Sequence, residues 1–357
     1  MYGMQYKDLS MDNFTDSNQS NDHNKFKSTF YPWEDYIIGV FLILGNITAV
    51  VLNLMVLIVT LKRRKQLRYP DYYIINLAVC DIGHPLFGYP MTIISSFSHE
   101  WVLGRIGCEM YGYLGFQFGV GSMATLAVMA FVRYLTVCKP SSVKQITRCH
   151  ACLSIVCIHL YAFIWAVFPF LGWGRYDVEP YGIACSIDWK NPSTSFVIAT
   201  FIFCLGVPVV IMTTTYGLLI KVSRGISRKM QKWNSKDIVW TKQELYLLKM
   251  TMIMCGFYLL AWMPYAIVNI LYVMLPNVRI PHRISVIPSL CAKSSHTINP
   301  IIYFLMNKKL RSFSPSLSCL RKKKNKEASK SLSPTANVPT VNVTTSGNQR
   351  ECKLSSE

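Results

Sequence analysis

Ile284-Ser-Val-Ile-Pro-Ser-Leu-Cys-Ala-Lys293-Ser-Ser-His-Thr-Ile-Asn299-Pro300-Ile-Ile-Tyr303 is an apolar run with one ammonium near its middle. Its length and composition are those of a membrane-spanning helix, and an ammonium at mid-bilayer depth costs roughly 2.5 to 3.5 kcal/mol on insertion scales. Such a residue faces an interior and marks function. The neutral amine of a lysine is a nucleophile toward aldehydes, so Lys293 is suited to forming an imine with a carbonyl ligand. The alternative, a lysine that reaches the headgroups from a helix end, is disfavoured because apolar sequence extends on both sides of it.

Outward from that run, the remaining hydrophobicity is also gathered into long blocks. The chain has 357 residues, 51% hydrophobic and 15% charged. Seven blocks, near residues 36–61, 72–97, 107–138, 149–171, 194–221, 245–275 and 282–306, are long enough to cross a hydrocarbon core of ~30 Å as helices. The expected fold is therefore an all-α membrane protein, a seven-transmembrane helix bundle over residues 36–306. No internal repeat is visible, which disfavours an inverted-repeat transporter.

The net charge of +19 does not point to nucleic acid, because of where it sits. Basic clusters flank alternate loops: Lys62-Arg-Arg-Lys65 with Arg68, then Lys139, Lys144 and Arg148, then Lys221 to Lys249, then Lys308 to Lys326. The positive-inside rule makes those loops cytoplasmic and the N-terminus extracellular. Residues 1–35 carry six acids against three lysines, and Asn13 and Asn18 head glycosylation sequons on that same outer side. Residues 1–35 do not read as a cleavable signal, so the first helix would have to start insertion. Beyond Cys319 the chain becomes basic and then rich in Ser, Thr and Pro, and residues 321–357 read as a disordered cytoplasmic tail whose hydroxyls suit phosphorylation.

Most of the twelve cysteines lie in helices, where the thiol behaves as a small hydrophobe. Cys108 and Cys185 stand apart, at the outer end of the third helix and in the outer loop between the fourth and fifth. A disulfide between them is allowed in that oxidising compartment and would clamp the loop over the bundle. Cys149-His-Ala-Cys152 has no second cluster to complete a metal site, so packing is the expectation. No hydrolytic or phosphoryl-transfer constellation and no phosphate-cradling glycine loop is present, so the chain is not expected to be an enzyme.

Read in order, the motifs resemble the rhodopsin-type seven-helix receptors, and within them the opsins, over residues 36 to 320. The landmarks are Asn53, Leu77-Ala-Val-Cys-Asp81, Arg133-Tyr134, Pro208 with Tyr216, Trp262-Met-Pro264 and Asn299-Pro300-Ile-Ile-Tyr303. Lys293, seven residues before Pro300, stands where opsins bind retinal as a Schiff base. Ala261-Trp-Met-Pro-Tyr265 and Ala292-Lys-Ser294 look most like the neuropsin group.

The resemblance implies a plasma-membrane, light-sensing receptor that binds 11-cis or all-trans retinal and activates a heterotrimeric G protein. Arrestin and a receptor kinase would act at the Ser/Thr tail. A buried protonated Schiff base needs an anion. The helix-three counterion position, three residues after Cys108, is Tyr111, a phenol; the loop position, six residues before Cys185, is Glu179 and becomes the candidate counterion. Trp262 and Tyr265 would touch retinal, and Arg175 would pair with Asp188 to hold the loop. Asp81, Asn53 and Asn299 resemble a polar network rearranged on activation, with Pro300, Tyr303 and Tyr216 as further switch positions. Arg133 and Glu244 would form a lock between helices three and six. Residues 307–320 resemble a short amphipathic eighth helix lying on the lipid, with Cys319 as its palmitoyl anchor.

Three positions depart from the pattern. The acid that normally precedes the arginine is Val132, His159 replaces a usual tryptophan and is expected to be a packing variant, and Tyr89 stands where neuropsins carry a lysine. Two other functions fit Lys293: a photoisomerase that supplies one retinal isomer, and a receptor for a diffusible ligand that keeps a relict lysine.

Overall fold

The computed structural model describes residues 26–62, 64–138, 146–189, 193–229, 235–275 and 280–306. The expectations for Asn13, Asn18, the segment 307–320 and Cys319 fall outside them, as does the side chain of Glu244.

Helix α1 spans Pro32–Leu61. It starts before the apolar block because its first turn is built from capping residues: Pro32 is pre-set for a helix, and the Glu34 carboxylate accepts from the Tyr31 amide at 2.9 Å. Helix α2 covers Tyr69–Ser98 in two pieces, Tyr69–Phe87 and Tyr89–Ser98, interrupted at Gly88 between Pro85 and Pro90. Helix α3 is Gly104–Cys138, and α4 is Arg148–Val167, closed by a 3₁₀ turn Phe168–Leu171. Helix α5 runs as Thr194–Thr200, a π-helical turn Phe201–Gly206, and Val207–Lys229. Helix α6 is Ser235–Met274, and it extends past its apolar block at the inner end because Lys, Gln and Glu there are good helix formers although polar. Helix α7 is His282–Met306.

Six of these helices are long and apolar enough by composition to cross a membrane. The seventh, α7, carries Lys293, His296 and Asn299 on a face packed against α6, α1 and α2, which lowers its hydropathy without exposing those groups to lipid. The opposite condition holds at the perimeter. Leu44 and Ile47 on α1, Leu153 and Val156 on α4, and Leu260 and Ile267 on α6 are exposed in the isolated chain. Apolar surface of that extent calls for lipid.

Between α4 and α5 the chain forms an antiparallel hairpin, β1 (Tyr176–Val178) and β2 (Cys185–Ile187), with Asp177 opposite Ser186. The Cys108–Cys185 disulfide fastens β2 to the start of α3. The stretch 26–30 is laced on beside it: Ser28 N–H donates to His99 O at 2.9 Å, Thr29 N–H to Tyr181 O at 3.3 Å, and Trp101 N–H to Phe26 O at 2.7 Å. Arg175 Nη2 lies 2.5 Å from Asp188 Oδ2, joining the two ends of the hairpin.

His159 does more than fill space. Its Nε2 meets Asn76 Oδ1 at 2.8 Å, and Asn76 Nδ2 donates to Thr125 Oγ1 at 2.8 Å, so α4, α2 and α3 share one polar tie. The packing expectation for His159 is corrected accordingly: a buried amide needs its partners, and the imidazole supplies one. Cys149 and Cys152 are exposed, and no metal-binding cluster occurs among the described residues.

Candidate ligand-binding site

A cavity of about 160 Å³ lies among α3, α5, α6, α7 and the β-hairpin. Lys293, Glu179, Tyr111, Trp262 and Tyr265, which the sequence nominates from four separate stretches, all line it. Most of the remaining wall is apolar, supplied by residues such as Phe116, Val120, Met123, Phe201 and Leu205. An amine in a mostly apolar chamber suits a hydrophobic aldehyde, which meets the requirement of a retinal site.

Each charged group has a neutral partner. Lys293 Nζ donates to Ser289 Oγ at 2.6 Å, one helical turn earlier, and the Tyr181 hydroxyl donates to the same oxygen at 3.0 Å. The Tyr265 hydroxyl donates to Glu179 Oε1 at 2.8 Å and accepts from Trp189 Nε1 at 3.3 Å. Glu179 is only 8% exposed and its backbone is bonded to Ala184 and Gly182, so the hairpin turn fixes where its carboxylate points. Burial, reinforced by the charge of Glu179, pushes the Tyr181 phenol well above its ordinary range and keeps it a donor.

The indole of Trp262 stacks on Tyr258, with ring centres 5.8 Å apart, and donates to Ser295 Oγ at 3.2 Å. Gly119 makes room for it: a Cβ there would lie 3.0 Å from the indole. The Tyr258 hydroxyl donates to Gly119 O at 2.9 Å, tying α6 to α3 beneath the cavity.

Below Lys293 the polar residues form one buried cluster. Asp81 Oδ2 accepts from Asn299 Nδ2 at 2.8 Å, and its Oδ1 accepts from Ser122 Oγ at 2.9 Å and lies 3.3 Å from His296 Nδ1. Asn53 Nδ2 donates to His296 O at 2.9 Å. Farther in, the Tyr216 hydroxyl lies 3.4 Å from Cys255 Sγ, and Arg133, Val132, Pro300 and Tyr303 are buried.

Several site residues were not singled out from the sequence. His84 and His296 both line the cavity, their rings 5.6 Å apart, and His84 also packs against Tyr111 at 5.5 Å. Both were readable, since an ionisable side chain inside a membrane helix marks an interior site, and each follows a recognised residue, Asp81 or Lys293, by three positions on the same helix face. Ser289 and Tyr181 carried no such signal.

Comparison with known proteins follows the same lines. A family profile described as "7 transmembrane receptor (rhodopsin family)" matches residues 52–303. The chain is 36% identical to Opsin-5 of Homo sapiens over 283 residues, which cover 78% of this chain and 80% of that protein. It is 33% identical to the visual pigment-like receptor peropsin of Homo sapiens over 299 residues, 82% of this chain and 88% of the other. Among solved structures, squid rhodopsin superposes with a TM-score of 0.76 at 25% identity, covering 86% of this chain and 94% of that one.

Proposed function

The chain belongs to the opsins, within the rhodopsin family of seven-transmembrane receptors, and from that premise we propose that Lys293 holds retinal as a Schiff base with Glu179 as its counterion. As an opsin it is a multi-pass membrane protein and a light-sensing receptor whose chromophore is retinal. Retinal supplies the absorption of light and the change of shape that follows.

One observation carries the assignment: Lys293, Glu179 and Trp262 line a single, mostly apolar cavity. In this reading Ser289 orients the Lys293 amine, Glu179 balances its charge, and Trp262 on α6 bears the pressure of a ligand that changes shape. Loss of that fit would displace α6, and the inner cleft near Arg133, Tyr216 and Tyr303 would open to a heterotrimeric G protein. The pairing of Arg133 with Glu244 belongs to this proposal, as do plasma-membrane residence with the N-terminus outside, glycosylation at Asn13 and Asn18, palmitoylation at Cys319, and arrestin and kinase binding at the tail.

The test is the absorption spectrum of purified protein reconstituted separately with 11-cis and all-trans retinal, before and after illumination, beside Lys293→Ala. A light-sensitive band that the substitution abolishes is expected. If no lysine-dependent band forms with either isomer, the attachment site is wrong and a diffusible-ligand receptor with a relict lysine takes its place.

A second reading, a photoisomerase, is favoured by Val132, which is buried where the acid beside Arg133 is usual. Light-dependent nucleotide exchange on a G protein separates the two, since an isomerase has no need of it.

A further inference from the structure

Four buried polar atoms in the cavity wall have no hydrogen-bond partner among the described residues: His84 Nε2 and Tyr111 Oη, whose rings pack against each other at 5.5 Å, and one each on α5 and α6. Thr200 Oγ1 and Asn269 Nδ2 are both buried, with their residues 8% and 2% exposed, and neither is hydrogen-bonded among the described residues. Both residues line the cavity. The state of Thr200 is unusual for its own helix. Farther along α5, Thr213, Thr214 and Thr215 each donate back to a backbone carbonyl four residues earlier, at 2.8, 2.6 and 2.6 Å. Thr200 stands where the α-helix gives way to the π turn at Phe201, and its hydroxyl makes no such bond.

Their position in the bundle decides what they face. Lys293 is on α7, which packs on α6, α1 and α2, whereas α5 packs on α3. Thr200 therefore belongs to the wall across the cavity from the amine. Asn269 lies one turn beyond Tyr265 on α6, and Trp189 bridges the two walls with ring centres 6.3 Å from Tyr265 and 5.9 Å from Phe201. A ligand attached at Lys293 presents its far end, the ring, to this wall. An all-hydrocarbon ring would bury a hydroxyl and an amide N–H with nothing to bond, and each stranded group is penalised.

We propose that the cavity is built for a retinoid that carries an oxygen on its ring, as a hydroxyl or an oxo group. Asn269 Nδ2 donates to that oxygen, and the Thr200 hydroxyl accepts from it if it is a hydroxyl or donates to it if it is a carbonyl. Two orphaned groups become satisfied, and the site discriminates against retinal lacking the oxygen, because polar groups placed to bond a substrate atom reject the analogue without it.

The inference rests on Lys293 as the attachment point, and the experiment separates the two. Purified ligand-free protein is incubated with an equimolar mixture of ring-hydroxylated and unsubstituted 11-cis retinal, and the bound chromophore is extracted and its composition measured by chromatography. The expected result is enrichment of the hydroxylated form by at least about tenfold, the factor that one stranded buried polar group is worth. Thr200→Val and Asn269→Leu are each expected to bring the ratio toward one while a pigment still forms. Equal uptake of the two retinoids by the native protein, or a preference that both substitutions leave unchanged, overturns the ring-oxygen site while the Lys293 assignment stands; water filling the polar wall would produce the first of these. Failure of both retinoids to form any pigment overturns the attachment site and this inference with it.

Discussion

The Tyr265 hydroxyl donates to Glu179 Oε1 at 2.8 Å, which ties a carboxylate on the β-hairpin to α6. The acid proposed as the counterion is thus held in part by the helix that the proposed ligand motion would displace. Glu179→Gln is expected to shift the dark pigment from a visible to an ultraviolet band at neutral pH, because a buried cation without its anion gives up its proton. Acidification should restore the visible band. Tyr265→Phe removes a donor that shares the carboxylate's charge; it should shift the band to shorter wavelength and weaken the dark state by about 1 to 2 kcal/mol. Spectra of the two variants over a pH series check both, and an unshifted Glu179→Gln pigment would assign the counterion elsewhere.

Asp81 is fully buried and accepts from both Ser122 and Asn299. Asp81→Ala strands two buried donors at about 1 to 3 kcal/mol each. Asp81→Asn keeps the shape and an acceptor, and should retain more than half of that stability. Thermal denaturation of the two variants against the native protein is the measurement, and equal melting would show that the cluster does not hold α2, α3 and α7 together.

Gly182 has φ +85°, and a Cβ there would meet the backbone carbonyl of Lys27 at 2.0 Å. The clash is with main chain, so no rotamer relieves it. Gly182→Ala should push the 26–30 stretch off the hairpin and cost about 1 to 3 kcal/mol from overpacking, with left-handed strain added. Faster bleaching of the reconstituted pigment by hydroxylamine would report the loosened cover, and native-like resistance would show that this stretch does not guard the site.

The Cys108–Cys185 bond closes a sequence separation of 77 residues. Chain entropy alone sets its stabilisation at about 4.5 kcal/mol. Cys185→Ser is expected to lower pigment yield and dark stability together, since β2 supplies cavity wall at Cys185, Ser186 and Ile187. Comparing yield after reconstitution with the melting temperature of whatever pigment forms would show whether the bond serves the site as well as the fold.

The helices were legible where hydrophobicity and helix length coincide, as in α3 and α4. They were less so where helix continues without apolarity, at the capped start of α1 and the polar inner end of α6. Lys293 announced itself because a charge in apolar sequence is expensive. The contact of Glu179 with Tyr265 spans 86 positions and is set by a hairpin and a disulfide, so no local pattern could show it. His159 illustrates the reverse: its chemistry was visible, but the buried Asn76 that makes it useful lies on another helix.

The π-helical turn Phe201–Gly206 is, in helical terms, one extra residue absorbed without a change of phase. Elsewhere in α5 the loss of a residue would rotate everything after it by about 100° around the axis and swing Tyr216 away from Cys255. Within 201–206 a single deletion would instead restore ordinary α-helix and leave both flanks facing as before. Helix α5 thus contains a short window in which chain length can vary while the inner cleft keeps its geometry, so the shape of the ligand wall is open to change by deletion as well as by substitution.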